Sequence, residues 1–496
     1  MSSAIDEKPV QPMGNPISNE KGQLEAVGSY TPEEEKRVVR KIDCVILPMM
    51  CLVFFFQYLD KQSLSYASVF GLITDLNMTS SQYSWCSSIF YIGQLISEWP
   101  FIYLMSKLRL TKFVGFTIII WGGICMCLAA PKNFAGFATV RFLLGFSEGA
   151  VSPAFVTITS YWYKQDEHAI RTALWVSMNA LAQIIGSLLM YGIGTNTSLP
   201  LQPWRFLFLI CGALTTACGF VFYFLMPTGP KDAWFLSSRE KQILTFRMAR
   251  SNEGGDKTSF SMVQFKEALT DPKVFLIFWF GVLVTMQSPV LVFASLIIKS
   301  LGHTSSKTLL YTAPSGSIQL LLLWIGVLLC TLTPKNRTLI ALLLCIPPLT
   351  GCILLLHLPS TSSWAIITSS WLASCITAPW SILLSLSASN IKGNTKRSVT
   401  NAVFFIGYCA GCIASPQLWT KSPRYFEGVV TAIVTWVLLA VAICAWWGVC
   451  KRDNLVRDGI VGDAGVDGGV FVVGFGKGDG DGDLTDKQDR AFRYTW

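Results

Sequence analysis

Residues 44–66, CVILPMMCLVFFFQYLDKQSLSY, run almost wholly apolar until Asp60-Lys61 breaks them. A helix rises 1.5 Å per residue, so about 20 such residues cross a hydrocarbon core of about 30 Å. Comparable runs recur at 83–104, 112–130, 136–158, 172–192, 204–226, 273–298, 309–330, 338–357, 364–387, 399–418 and 428–449. This spacing predicts an all-α polytopic membrane protein with twelve transmembrane helices. The weakest of these signals is 309–330, where Pro314, Ser315 and Gly316 interrupt the start. Such residues are tolerated where neighbouring helices satisfy the freed backbone groups.

Composition agrees. Of 496 residues, 52% are hydrophobic and only 14% charged, against about 25% charged in a soluble domain. The formal charge of +9 sits largely in short loops beside the apolar runs, where it orients helices, so no nucleic-acid partner is expected. The 15 cysteines fall mostly within spans as small apolar fillers. Cys409-x-x-Cys412 lies in an apolar run with no second pair nearby and reads as packing, so no metal or cofactor is expected. His168, His303 and His357 fall at separate loops or helix ends and form no catalytic set.

Charge bias sets the expected sidedness. With the N-terminus in the cytoplasm, inner loops hold Lys107, Arg109, Lys112, Lys164, Arg171, Lys335, Arg337, Lys392, Lys396 and Arg397. Outer loops hold only Lys132, Lys299, Lys307, Lys421 and Arg424. That direction fits the positive-inside rule and puts both termini inside. Asn77-Met78-Thr79 and Asn196-Thr197-Ser198 form glycosylation sequons in predicted outer loops. The polar segment 227–272 divides the spans six and six. The expected organisation is a disordered arm at 1–42, a six-helix bundle at 43–226, a cytoplasmic linker at 227–272, a second six-helix bundle at 273–449 and a glycine- and aspartate-rich tail at 450–496. Two such bundles suit a rocker with its site between the halves. Within the linker, Ser237 to Met248 reads as an amphipathic surface helix. The tail, with Gly478-Asp479-Gly480-Asp481-Gly482-Asp483, fails as a calcium loop because Leu484 stands where glycine is required and Arg490 where glutamate is. Its composition predicts disorder.

The few charges inside the spans carry the functional signal. Each costs about 2.5–3.5 kcal/mol to insert and normally faces a partner or a water-filled cavity. Asp60 and Lys61 point about 100° apart on a helix, so one of them can face a cavity; alternatively both lie at the outer rim with Lys61 snorkelling. Arg141 and Glu148 are seven positions apart, on nearly one face but about 10 Å apart along the axis, too far for a direct pair. Arg141 can hold a carboxylate through a bidentate fork. Glu148, a carboxyl in low dielectric, takes up a proton more readily than in water and suits a proton carrier. A structural network to neighbouring helices would need the same two residues. Glu98, before Trp99-Pro100, fits either a kinked helix or a cavity wall. Arg205 and Lys273 read as interfacial anchors. The second half supplies neutral candidates, Gln287, Ser288, Gln319, Asn401, Tyr408 and Gln417, with Phe404 and Phe405 as an apolar wall. Trp380, beside Pro379, reads as packing.

Three stretches resemble the major facilitator superfamily, and within it the fungal anion:cation symporter family of allantoate permease-like proteins. They are Tyr58-Leu59-Asp60-Lys61-Gln62-Ser63-Leu64, Arg141-Phe142-Leu143-Leu144-Gly145-Phe146-Ser147-Glu148-Gly149-Ala150, and the series from Asn390 through Lys396-Arg397 and Asn401 to Tyr408 and Pro416-Gln417. Lys61 and Ser63 stand where that family usually has arginine and asparagine, and Cys412 where it has asparagine. The resemblance implies twelve-helix transport of organic anions, often proton-driven, usually in a fungal plasma membrane.

The expected function is proton-coupled uptake of a small carboxylate by alternating access. Glu148 and Asp60 would handle the proton, and Arg141, Lys61, Gln287, Asn401 and Tyr408 the substrate. Lipid is the only large partner expected, and the chain is expected to be monomeric. Export of a fungal metabolite and a non-transporting nutrient sensor are the rival readings; an enzyme is not expected.

Overall fold

The computed structural model describes residues 30–149, 151–196, 200–250, 260–333, 336–359, 361–422, 424–463, 484–489 and 492–495. Among them every regular element is a helix. The first half of the chain contains α1 Pro32–Val69, α2 Leu72–Asp75, α3 Ser80–Lys107, α4 Leu110–Cys127, α5 Phe134–Glu148, α6 Val151–Trp162, α7 Gln165–Thr195 and α8 Pro203–Leu225. Two helices follow between the halves, α9 Ser238–Arg250 and α10 Met262–Thr270. The second half contains α11 Pro272–Thr285, α12 Pro289–Ser300, α13 Ser305–Leu332, α14 Arg337–His357, α15 Ser363–Ala373, α16 Thr377–Asn390, α17 Asn394–Ala414 and α18 Phe426–Asp463.

Eleven helical segments among the described residues are long and apolar enough to cross a membrane. The expected span at 83–104 is the one missing from that set. Its helix, α3, has the length, at 28 residues, but carries Ser84, Ser87, Ser88, Gln94, Ser97 and Glu98. Ser87, Ser88 and Gln94 serve the cavity and the contacts described below, and the whole set dilutes its hydropathy. The doubtful 309–330 segment is one continuous helix with Pro314 inside it. By contrast the span expected at 136–158 changes from α5 to α6 just after Glu148.

Helix starts follow local chemistry. Thr31 accepts from the Glu34 backbone while the Glu34 side chain accepts from Thr31, a capping box that starts α1 at Pro32, twelve residues before its apolar run at Cys44. Thr79 and Gln82 repeat the device at α3. Helix pairs then close tightly wherever glycines meet backbone. A Cβ on Gly93 would lie 2.3 Å from Phe142 O, and one on Gly145 only 1.9 Å from Phe90 O, so α3 and α5 touch main chain to main chain. Gly281 and Gly407 do the same between α11 and α17, each 2.4 Å from a carbonyl of the other helix.

Several charges at the end carrying both termini pair within each half. Arg171 forks onto Asp43 at 2.9 Å through two nitrogens. Arg247 of α9 is buried against Glu35 at 2.8 Å and against Glu167, which fixes the linker helix to the first half. In the second half, Lys396 is fully buried among Glu267, Asp271 and Asp486, at 2.8, 2.7 and 2.7 Å. Lys273 is no interfacial anchor: it is buried, bonds Asp453 at 2.9 Å and lies 3.8 Å over the Tyr494 ring. The expectation of a disordered tail therefore fails at its end. Residues 484–489 and 492–495 pack on the second half because their polar groups complete these buried charges; residues 464–483, like 1–29 of the expected N-terminal arm, lie outside the described residues.

The two halves are joined by hydrogen bonds gathered toward the end opposite the termini. Ser65 Oγ meets Ser295 Oγ at 2.7 Å and donates to Val292 O at 2.8 Å. Lys299 Nζ and Ser305 Oγ both donate to Val69 O. Ser88 Oγ donates to Ile413 O and accepts from Gln417 Nε2. Gln183 donates to Ser315 at 2.6 Å and accepts from Gln319 at 2.8 Å.

Candidate functional site

A cavity of about 140 Å³ lies between the halves, beneath that seam. Helical period decides which residues reach it. On α1, Gln57, Tyr58, Lys61 and Gln62 line it, at the i, i+1, i+4, i+5 spacing of one face. On α3 the set is Ser87, Phe90, Tyr91 and Gln94, and on α17 it is Phe405, Tyr408 and Cys412. Arg141 of α5 and Asn179 of α7 complete the first-half wall; Thr285, Ser288, Thr377 and Trp380 complete the second-half wall. Tyr91 and Tyr408 meet edge-to-face across the halves, 6.0 Å between centroids.

The charged groups of the lining are Lys61 and Arg141, both cations. Arg141 is 3% exposed. Its Nε donates to Cys86 O at 3.3 Å, and its Cζ lies 5.3 Å from the Phe90 ring centroid. Its Nη1 is buried with no hydrogen-bond partner among the described residues. Lys61 shares the same ring, 5.7 Å away, and pairs with Glu148 Oε1 at 2.8 Å. One aromatic ring thus lies within reach of two cations. Buried donors without partners are costly, so Arg141 holds hydrogen-bonding capacity that an acceptor in the cavity can use.

The structure distributes the sequence-derived candidates as follows. Arg141, Lys61 and Tyr408 come together at the cavity. Glu148 stands behind Lys61, fully buried and outside the lining. Asp60 turns to the opposite face of α1, where Cys125 Sγ donates to it at 3.5 Å and Thr215 Oγ1 at 3.2 Å. Of the two placements open for Asp60-Lys61, the lysine takes the cavity and the aspartate the interior of the first half. Gln287 faces α18, donating to Thr435 Oγ1 at 2.6 Å. Asn401 and Glu98 are half-buried outside the lining. Gln319 and Gln417 belong to the seam. Arg205 stacks on Trp204, 4.3 Å from its ring, and donates to Ala129 O. Trp380, read from sequence as packing, lines the cavity, and its Nε1 has no partner among the described residues. Gln57, Phe90, Tyr91, Gln94 and Asn179 were also not singled out. The 3–4 spacing of Ser87, Phe90, Tyr91 and Gln94 along α3 was the available signal.

Comparison with known proteins agrees with this architecture. The family model described as Major Facilitator Superfamily matches residues 50–416. An uncharacterized transporter of Schizosaccharomyces pombe is 34% identical over 470 residues, covering 94% of this chain and 89% of its own. The allantoate permease of Saccharomyces cerevisiae is 29% identical over 484 residues, covering 94% and 87%. Among solved structures, the xylose transporter XylE from E. coli, in a partially occluded inward open conformation, superposes with a TM-score of 0.59 at 14% identity, covering 83% of this chain and 99% of that one. An inward-facing bacterial homolog of the human lysosomal transporter Spinster gives 0.58 at 14% identity, covering 84% and 97%; at such identities the likeness is one of fold. With its multi-pass helices, its cavity between two halves and a family match over most of its length, the chain belongs to the Major Facilitator Superfamily of membrane transporters.

Proposed function

We propose that the chain carries a small organic anion, taken up together with protons across a fungal plasma membrane. Arg141 is the observation that supports this most: a guanidinium buried in the cavity wall, with an unpartnered donor and a second cation, Lys61, across the same phenyl ring. A carboxylate satisfies that donor with charge-assisted bonds. The aromatic and amide groups around it suit a compact planar body, and the relative that is an allantoate permease makes allantoate the first solute to try.

Proton coupling follows from competition for Lys61. While Glu148 is ionised it holds Lys61. Protonation of Glu148 frees the ammonium to join Arg141 on the anion, so proton and substrate favour each other's binding. Counting α3 as a crossing gives twelve helices in two bundles of six. With both termini cytoplasmic, the seam closes the outer end, and the described arrangement is inward-facing. The protein works as a monomer.

The test is uptake into proteoliposomes of labelled allantoate, nicotinate, pantothenate and biotin, beside neutral solutes. An imposed inward proton gradient should accelerate uptake of at least one anion. Arg141→Gln should lower its kcat/KM by about tenfold or more, the value of one or two charge-assisted bonds. Glu148→Gln should abolish gradient-driven accumulation and spare exchange. Transport restricted to neutral solutes, or Arg141→Gln uptake equal to wild type, overturns the anion reading; accumulation indifferent to the gradient overturns the coupling.

A further inference from the structure

The end of the chain returns to the helices that carry the cavity. Asp486 is fully buried; it takes a bond from Lys396 at the start of α17 at 2.7 Å and one from Tyr494 Oη at 2.8 Å. Thr485 Oγ1 donates to Glu267 of α10 at 3.0 Å. Asn390, the last residue of α16, exchanges two bonds with the Thr495 backbone, at 3.0 and 2.7 Å. Asn454 of α18 does the same with the Tyr494 backbone, at 2.9 and 3.0 Å. Arg457 of α18 donates to Asp486 O at 2.7 Å and to Phe492 O.

Lys396 is already satisfied by Glu267 and Asp271. The segment is therefore not needed to neutralise that lysine, yet it buries a third carboxylate beside it. A buried carboxylate persists only when held by cations and donors, so the docked state is specific rather than a loose covering. Its attachment points matter more than their number. Helices α16 and α17 carry Thr377, Trp380, Phe405 and Tyr408 at the cavity. Helix α18 packs on α14 and α11, on the flank of the second half. The segment ties the terminus-bearing ends of the two cavity helices to that flank.

We infer that residues 484–489 and 492–495 form an intramolecular strap that holds the cavity open toward the terminus-bearing end. The segment's contacts lie on α10, α16, α17 and α18, so a rigid swing of the second half would leave them intact. Closing that end by bending the tips of α16 and α17 toward the first half relative to α18 would strain them, and the strap opposes that bend. Releasing it shifts the population toward the alternative state, in which the seam at Val69, Lys299 and Ser305 parts. The inference rests on the inward-facing reading proposed above and is independent of the substrate and of the coupling ion.

Hydrogen–deuterium exchange on the purified full-length protein in micelles tests it, without any ligand. Asp486→Asn removes the central charge. Asn454→Ala, on the far side of the segment, releases Tyr494 and leaves the Lys396 cluster intact, so one variant remains if the other folds poorly. Both should raise exchange about tenfold at 485–489 and 492–495, the size of one lost charge-assisted or paired bond. Both should also raise it about threefold or more at residues 70–78 and 300–305, at the opposite end, while α4 and α8 stay unchanged. Faster exchange confined to the segment and its immediate neighbours overturns the strap, as does unaltered exchange of the segment in both variants.

Discussion

Removing Lys61 should destabilise the protein more than removing Lys61 and Glu148 together. The pair is 2.8 Å apart, with Glu148 fully buried and Lys61 19% exposed. At an effective dielectric of about 20, unit charges at that distance attract by about 6 kcal/mol. Taking each ion from water costs several kcal/mol, so the net value of the intact pair is small. Lys61→Met abolishes the attraction but leaves the Glu148 carboxylate fully buried without its ion-pair partner, and a broken buried pair typically costs about 3–5 kcal/mol. Protonation of Glu148 relieves part of that cost. Glu148→Gln strands the ammonium, but Lys61 reaches the cavity and can be hydrated there, so its loss should be smaller, about 1–3 kcal/mol. The double variant replaces both charges and should recover about 3 kcal/mol or more relative to the sum of the singles, more than the Glu148→Gln cost itself, which leaves it more stable than Lys61→Met. Equilibrium unfolding in mixed micelles, run as a double-mutant cycle at neutral pH, reads this directly. Additive single effects, or a Lys61→Met variant as stable as wild type, would refute the pairing and with it the competition for Lys61.

Two further outcomes follow from local geometry. Gly145→Ala places a methyl 1.9 Å from Phe90 O, which must push α3 from α5, whereas Gly192→Ala on α7 meets nothing within 4 Å. The first should lose about 3 kcal/mol or more and much of its monodisperse yield on size exclusion, the second neither; equal behaviour of the two contradicts the close approach. At the strap, burial pushes the Asp271 carboxyl up, but the bond and charge of Lys396, with Lys273, hold it below its ordinary value. A depressed carboxylate stabilises the fold above its unfolded pKa of about 3.9, and that contribution is lost as pH falls through the lower folded value. Exchange at 485–489, corrected for intrinsic rates, should thus stay protected from pH 7.5 to pH 5 and fail only in stronger acid; release between 7 and 5 overturns Asp271 as the group that controls docking.

The apolar run lengths fixed where helices lie, because the cost of exposing backbone to lipid leaves a chain of this composition few other forms. Charge scarcity made Arg141 and Lys61 legible for the same reason: each is expensive in a span and must have a use. Local rules also carried the amphipathic α9. What they did not carry is which helix meets which. Glu148 pairs with Lys61, 87 positions away, and not with Arg141 on its own helix; Asp60 differs from Lys61 by one position and faces the other way. Trp380 became a cavity residue only because α16 comes to face the first half, and the glycine-rich tail acquired an ordered end only because α16, α17 and α18 each supply it a partner, Asn390, Lys396 and Asn454. Periodicity reports the polarity of a helix face, but a hydrogen bond or an ion pair depends on the neighbour brought within about 3 Å of it, and that neighbour is chosen by the packing of the whole chain.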